Sequence, residues 1–144
     1  MTCPFCKLIV EGTWLCETTH AVAIADAFPL TPGHSLVLPR RHEPDFFALD
    51  AGERDAVFAL AWELKRILVE RYQPDGFNLG VNVGAAAGQT VGHAHLHVIP
   101  RYCGDVREPR GGSTFGRQAS LRWNHVITQI RSMPARSSRA CSKL

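Results

Sequence analysis

Residues 93–99 read HAHLHVI, with histidine at every second place and an apolar residue at each position between. In a strand the side chains of residues i, i+2 and i+4 share a face. The pattern therefore predicts His93, His95 and His97 on one surface, with Ala94, Leu96 and Val98 entering the core behind them. One histidine on an apolar strand is commonly a packed core residue. Three at period two are not, because burying adjacent imidazoles without partners is costly. Three imidazoles on a rigid strand, beside the small-residue loop GAAAGQT at 84–90, make a site for nucleophilic attack on phosphorus.

The rest of the chain supplies a sheet for that strand. Segments 13–18, 20–26 and 34–40 read as three strands, the last stopped at Pro39, with the loop PLTPGH leading into it. Residues 51–71 form the principal helix. Asp50 is its N-cap and Glu53 completes a capping box. Val57, Leu60, Ala61, Leu64, Ile67 and Leu68 follow helical spacing toward the sheet. Phe58, Trp62 and Val69 form a second apolar edge, either further core or a dimer interface. Segments 76–84 and 93–101 alternate as a fourth and fifth strand joined in a hairpin, and residues 3–7 read as a tight knuckle. The expected fold class is α+β: an antiparallel sheet of about five strands with one principal helix packed on it.

Charge divides the chain in two. Residues 1–109 hold all 13 acidic and 9 of the 16 basic side chains, a balance of −4, whereas residues 110–144 hold 7 basic and no acidic ones. We therefore expect a catalytic domain over 1–112 and a basic C-terminal tail over 113–144, loose apart from a short helix or strand at 121–130. The tail reads as a solvated end. Its charges are not interleaved with aromatics, so nucleic acid is not an expected partner. No apolar run approaches a membrane span and MTCPFCK carries no signal-peptide stretch. The expectation is a soluble, cytoplasmic protein with no membrane partner. Five cysteines without a secretion signal argue against a disulfide framework.

A neutral imidazole keeps a lone pair and can form a phosphoramidate with phosphorus, dividing one hard displacement into two easier ones. The other ring nitrogen of the attacking histidine should then donate to a fixed acceptor such as a backbone carbonyl. The loop offers backbone N–H groups for phosphate oxygens, with Gln89 and Thr90 as side-chain donors. Cys3 and Cys6, in CPFC, have metal-knuckle spacing. Zinc would need two more ligands, for which His42 and His93 are candidates, and the alternative is a pair of free thiols. Asp26 ends an apolar strand, where it is either a turn residue or an acceptor for both hydroxyls of a ribose.

Together these residues resemble the histidine triad (HIT) superfamily of nucleotide hydrolases and transferases, whose signature is met by HAHLHVI. The stretch FNLGVNVGAAAGQTVGHAHLHVIPR is similar to the branch of the fragile histidine triad protein and bacterial diadenosine polyphosphate hydrolases. The resemblance implies that His95 is the nucleophile on the α-phosphorus, that His97 contacts phosphate or leaving group, and that His34 lies beside the triad. It implies nucleotide contacts at Asp26, Asn82, Gly88, Gln89 and Thr90. CPFC resembles the zinc knuckle of galactose-1-phosphate uridylyltransferase, which implies structural zinc held by Cys3, Cys6, His42 and His93. Those transferases have glutamine where this chain has His97, which favours hydrolysis over transfer. The implied activity is cleavage of a (di)nucleoside polyphosphate, adenine-containing, by a homodimer through a nucleotidyl-histidine intermediate. Two alternatives stay open: a nucleoside phosphoramidate hydrolase, and a nucleotide-binding adaptor with little catalysis. After Arg110-Gly111-Gly112 the chain departs from the pattern of that family.

Overall fold

A computed structural model describes residues 3–107 and 109. The expected basic tail and the segment at 121–130 lie outside the described residues. The elements are α1 (Pro4–Glu11), β1 (Cys16–Glu17), β2 (Ala21–Ala25), β3 (Ser35–Pro39), α2 (Ala51–Tyr72), β4 (Gly76–Val81) and β5 (Leu96–Arg101), with single 3-10 turns at Phe46–Ala48 and Ala85–Ala87. The strands form one antiparallel sheet in the order β1-β2-β3-β5-β4. The α+β class is as expected.

Apolar side chains fill both faces of this sheet. On one, Val57, Leu60, Leu64 and Leu68 of α2 pack on Ala21, Ala23, Val37, Ala94, Leu96 and Val98. On the other, Phe5, Leu8, Ile9 and Trp14 cover Val22, Ile24, Leu36 and Leu38. Helix α2 begins as its sequence demands. Asp50 accepts from the Glu53 amide at 2.8 Å, and the Glu53 carboxylate accepts from the Asp50 amide at 3.0 Å. Arg41 grips the same carboxylate with two N–H groups, at 2.7 and 2.8 Å. That hydrogen-bonded guanidinium holds Glu53 ionised down to about 2.

Three local expectations are corrected. Residues 3–7 are not an isolated knuckle but open α1, with Pro4 in the first turn, where its missing N–H is no loss. The fourth strand stops at Val81 rather than residue 84. The fifth begins at Leu96 rather than residue 93, so 82–95 is a long excursion and not a short hairpin loop. The reason lies in the competing partners of 93–95. The His93 amide donates to Val91 O at 2.8 Å, the His93 carbonyl accepts from the His95 ring, and the Ala94 amide donates to Glu43 O at 2.6 Å. The backbone there is tied to the 39–43 segment and to its own turn instead of to β4. The alternation of faces survives: Ala94, Leu96 and Val98 enter the α2 core, while His93 and His95 stack against Phe5 on the α1 side.

Candidate active site and metal centre

Two clusters of polar side chains lie on the α1 side of the sheet. In the first, Cys3 and Cys6 approach the Nδ1 of His93 at 3.6 Å each, and Cys6 approaches the Nδ1 of His42 at 3.4 Å. All four donor atoms lie within 4.8 Å of one another. The start of α1, with Cys3 as its N-cap residue and Cys6 in its first turn, brings the two cysteines together. His42 follows β3, between Arg41, anchored on Glu53, and Glu43, whose carbonyl holds Ala94.

The donor chemistry fits a divalent metal of the zinc type. Zinc–sulfur and zinc–nitrogen bonds of about 2.3 and 2.0–2.1 Å at tetrahedral angles put sulfur and nitrogen about 3.6 Å apart. The sulfur–nitrogen separations here are already at that value. His93 Nε2 lies 2.8 Å from Pro39 O. A carbonyl only accepts, so Nε2 carries the proton and the lone pair is on Nδ1, the atom facing both sulfurs. Metal-ligating histidines have this outer partner.

The second cluster has the opposite chemistry. Asp26 Oδ2 lies 3.3 Å from His34 Nε2 and 3.9 Å from His97 Nδ1, and the two rings meet at 3.0 Å through those nitrogens. His34 Nδ1, however, accepts from the Leu30 amide at 3.0 Å. An amide can only donate, so the one proton of a neutral His34 is on Nε2. It points to His97 Nδ1, which accepts, and His97 therefore carries its own proton on Nε2. No lone pair is left on His34 Nε2 for an ion. These three residues form a hydrogen-bonded relay and not a metal site. Burial pushes His97 down to about 4, with His95 and His34 adding and Asp26 opposing. Burial also lowers His34. Both rings are neutral near neutral pH.

Between the clusters lies His95. Its Nδ1 is 2.7 Å from the His93 carbonyl, so Nδ1 donates and the lone pair is on Nε2. Its ring sits edge-on to Phe5 at 5.3 Å and to His97 at 5.0 Å.

The loop differs from its expected role at one residue. Gln89 Oε1 accepts from the Gly84 amide at 2.7 Å, while Nε2 donates to Pro44 O at 2.8 Å and Val91 O at 3.2 Å. Its amide group is spent bracing the loop, so it is not the outward donor expected of it. Among the described residues no hydrogen bond engages the amides of Thr90, Val91 or Gly92, which leaves them as donors for an anion. Gly88, at φ +88, takes the left-handed turn that closes the loop, and the Asn82 amide lies beside it. Asp26 accepts from the Phe28 amide at 2.8 Å through Oδ1, a turn contact, while Oδ2 faces the relay.

Sequence reasoning missed Phe5, although it is the aromatic enclosed by CPFC. It also missed the amide of Leu30 and the carbonyls of Pro39 and Pro44. Backbone groups carry no residue signature, so no sequence signal could have found these. Cys3, Cys6 and Cys16 are free thiols.

A fold with a triple histidine of this geometry agrees with the comparisons to known proteins. The HIT domain family matches residues 9–104, and the chain belongs to it. It is 38% identical over 132 residues to a protein of Arabidopsis thaliana named adenylylsulfatase HINT3, covering 89% of this chain and 65% of that one. It is 32% identical over 104 residues to the asymmetrical bis(5'-nucleosyl)-tetraphosphatase of Schizosaccharomyces pombe, covering 72% and 57%. The crystal structure of a zinc-bound histidine triad family protein from Mycobacterium smegmatis superposes with a TM-score of 0.68 at 31% identity, over 92% of this chain and 97% of that one.

Proposed function

We propose that this chain is a nucleotidyl hydrolase that cleaves at the α-phosphorus of a nucleoside polyphosphate of the dinucleoside, adenine-containing kind. One observation carries the reading: the His93 carbonyl holds the His95 proton on Nδ1 and leaves a lone pair on Nε2. His95 Nε2 attacks phosphorus and the P–O bond to the leaving group breaks, the leaving group departing with the electron pair. Water then attacks the phosphorus. The P–N bond breaks, its electrons return to Nε2, and the proton lost by water goes to solvent. The product is a nucleoside monophosphate.

The other residues take supporting roles. His97, with its proton on Nε2, donates a hydrogen bond to a phosphate or leaving-group oxygen. His34 keeps that proton in place. The amides of 90–92 stabilise the negative charge that builds on phosphorus oxygens, with Thr90 as a side-chain donor, while Gln89, Gly88 and Asn82 shape the loop. Asp26 receives the ribose. Zinc, held by Cys3, Cys6, His42 and His93, has a structural role, joining α1 to the sheet. The names of the relatives support substrates in which an adenylyl or nucleosyl group carries an anionic leaving group. The exposed Phe58, Trp62 and Val69 on α2 support a homodimer.

A turnover screen over dinucleoside polyphosphates, adenylyl sulfate and nucleoside phosphoramidates tests this, with mass-spectrometric trapping of a nucleotidyl adduct. We expect an adduct on His95. His95→Ala should lose turnover by several orders of magnitude and still bind nucleotide. Unchanged turnover in that variant would reject the mechanism. Elemental analysis should give one zinc per chain.

A further inference from the structure

His93 links the cysteine-bearing cluster to His95. Its ring faces Cys3 and Cys6 through Nδ1 and is pinned behind by Pro39 O at 2.8 Å, with the His42 ring edge-on at 5.2 Å. Its carbonyl is the acceptor that sets the tautomer of His95. The next amide, that of Ala94, is fixed on Glu43 O, one residue from His42. On the other side of His95 stands Phe5, enclosed by Cys3 and Cys6 in the first turn of α1. Its ring meets the His95 ring at 85° and the His93 ring at 65°.

Besides the His97 ring at 5.0 Å, two contacts set the His95 ring: the acceptor at Nδ1 and the aromatic wall against its side. One comes from a residue of the Cys3-Cys6-His42-His93 cluster and the other from a residue enclosed by it. Without a bridging ion, long sulfur–nitrogen contacts, the Cys3–Cys6 contact and the edge-on meeting of the two imidazoles join these four side chains. Helix α1 is still docked by Phe5, Leu8 and Ile9 on the sheet, but no coordinate bond then ties its first turn to His42 and His93. A free imidazole divides its proton between its two nitrogens, so a displaced His93 carbonyl would leave His95 as a mixture of tautomers, one of which has no lone pair on Nε2.

We propose that the metal centre positions the nucleophile: an ion held by Cys3, Cys6, His42 and His93 fixes the His93 carbonyl and the Phe5 ring, and through them the tautomer and orientation of His95. This rests on the reading of His95 as nucleophile and adds to it, since a staple between α1 and the sheet would affect stability alone. His93 and Phe5 are then positioning residues for His95.

The test removes the ligand that makes no ring contact with His95. His42→Ala and His42→Cys are compared with the wild type in weakly alkaline buffer. Zinc content comes from elemental analysis, the His95 tautomer from imidazole nitrogen NMR shifts, and the adduct-forming rate from single-turnover kinetics with a dinucleoside polyphosphate. Binding of a non-hydrolysable nucleotide analogue is measured alongside. In His42→Ala we expect loss of zinc, a shift of His95 from one tautomer to a mixture and a roughly 100-fold slower adduct step, the scale of a 1 Å misplacement. Analogue binding should be unchanged. His42→Cys should restore zinc and the single tautomer. A zinc-free His42→Ala protein with an unaltered tautomer and adduct rate would overturn the proposal. If that variant does not fold, chelator withdrawal of zinc from folded wild type is read by the same NMR signal. Absence of any adduct in wild type would defeat the hydrolase reading, while the NMR shift would still decide this one.

Discussion

At the residue scale, the amide of Leu30 decides where two protons reside. By donating to His34 Nδ1 it places one proton on His34 Nε2 and, through that ring, the other on His97 Nε2. The buried relay has a measurable cost in acid. An unfolded chain protonates an imidazole as pH falls through about 6.5, whereas folded His97 does so only near about 4. Between those values the unfolded state binds more protons, so stability falls as pH drops through this window and the effect is complete below it. His34, also lowered by burial, acts in the same direction; Asp26 opposes it and His95 adds to it. Urea midpoints across that window should fall with a steeper slope in wild type than in His97→Gln. Equal slopes would place the relay's protons elsewhere. Gly33, just before His34, has φ +85, and an added Cβ would lie 2.9 Å from the Tyr72 ring and 3.1 Å from Pro100. Gly33→Ala should lower stability by roughly 1–3 kcal/mol, read from thermal unfolding.

At the scale of elements, α2 and β5 show what a sequence can and cannot disclose. The whole of α2 was legible, because its cap, its capping box and its apolar spacing are local properties written in residue types. Asp50→Ala should cost about 1 kcal/mol through loss of the cap, measured by denaturant titration. The faces of β5 were equally legible, because period two assigns each side chain whatever the hydrogen bonding. Where β5 begins was not, since the ladder ends at 96 for reasons held by Val91, Glu43 and the His95 ring. Helix α1 was hidden because eight residues give little periodicity and CPFC reads first as a metal knuckle. The spacing of Cys3 and Cys6 announced a metal knuckle and left His42 and His93 as candidate partners, and it is the fold that brings the donor atoms of positions 3, 6, 42 and 93 within 4.8 Å of one another. Gln89 was misjudged for a related reason: its residue type announces donors but not where they are spent.

At the scale of the whole molecule, the exposed stripe on α2 bears on assembly. Phe58 and Val69 are each 43% exposed and Trp62 is 68% exposed, and all three fall on one side of the helix, away from the sheet. Exposed aromatic and aliphatic side chains along one side of a helix are a signature of an association face. Trp62→Glu should convert the proposed homodimer to monomer in sedimentation velocity. A wild type that sediments as monomer at every concentration removes the proposal.

The sheet keeps its two sides apart. Leu64 lies beneath the side that carries α2, while every imidazole of the triad is on the other. Leu64→Ala should therefore lose about 2–5 kcal/mol of stability with no change in turnover per folded molecule, by calorimetry and assay of the same sample. A five-stranded partition of this sort lets one side drift through generations of repacking while the other holds its reagents still, so thermal robustness and reactivity can be inherited, or engineered, as separate traits.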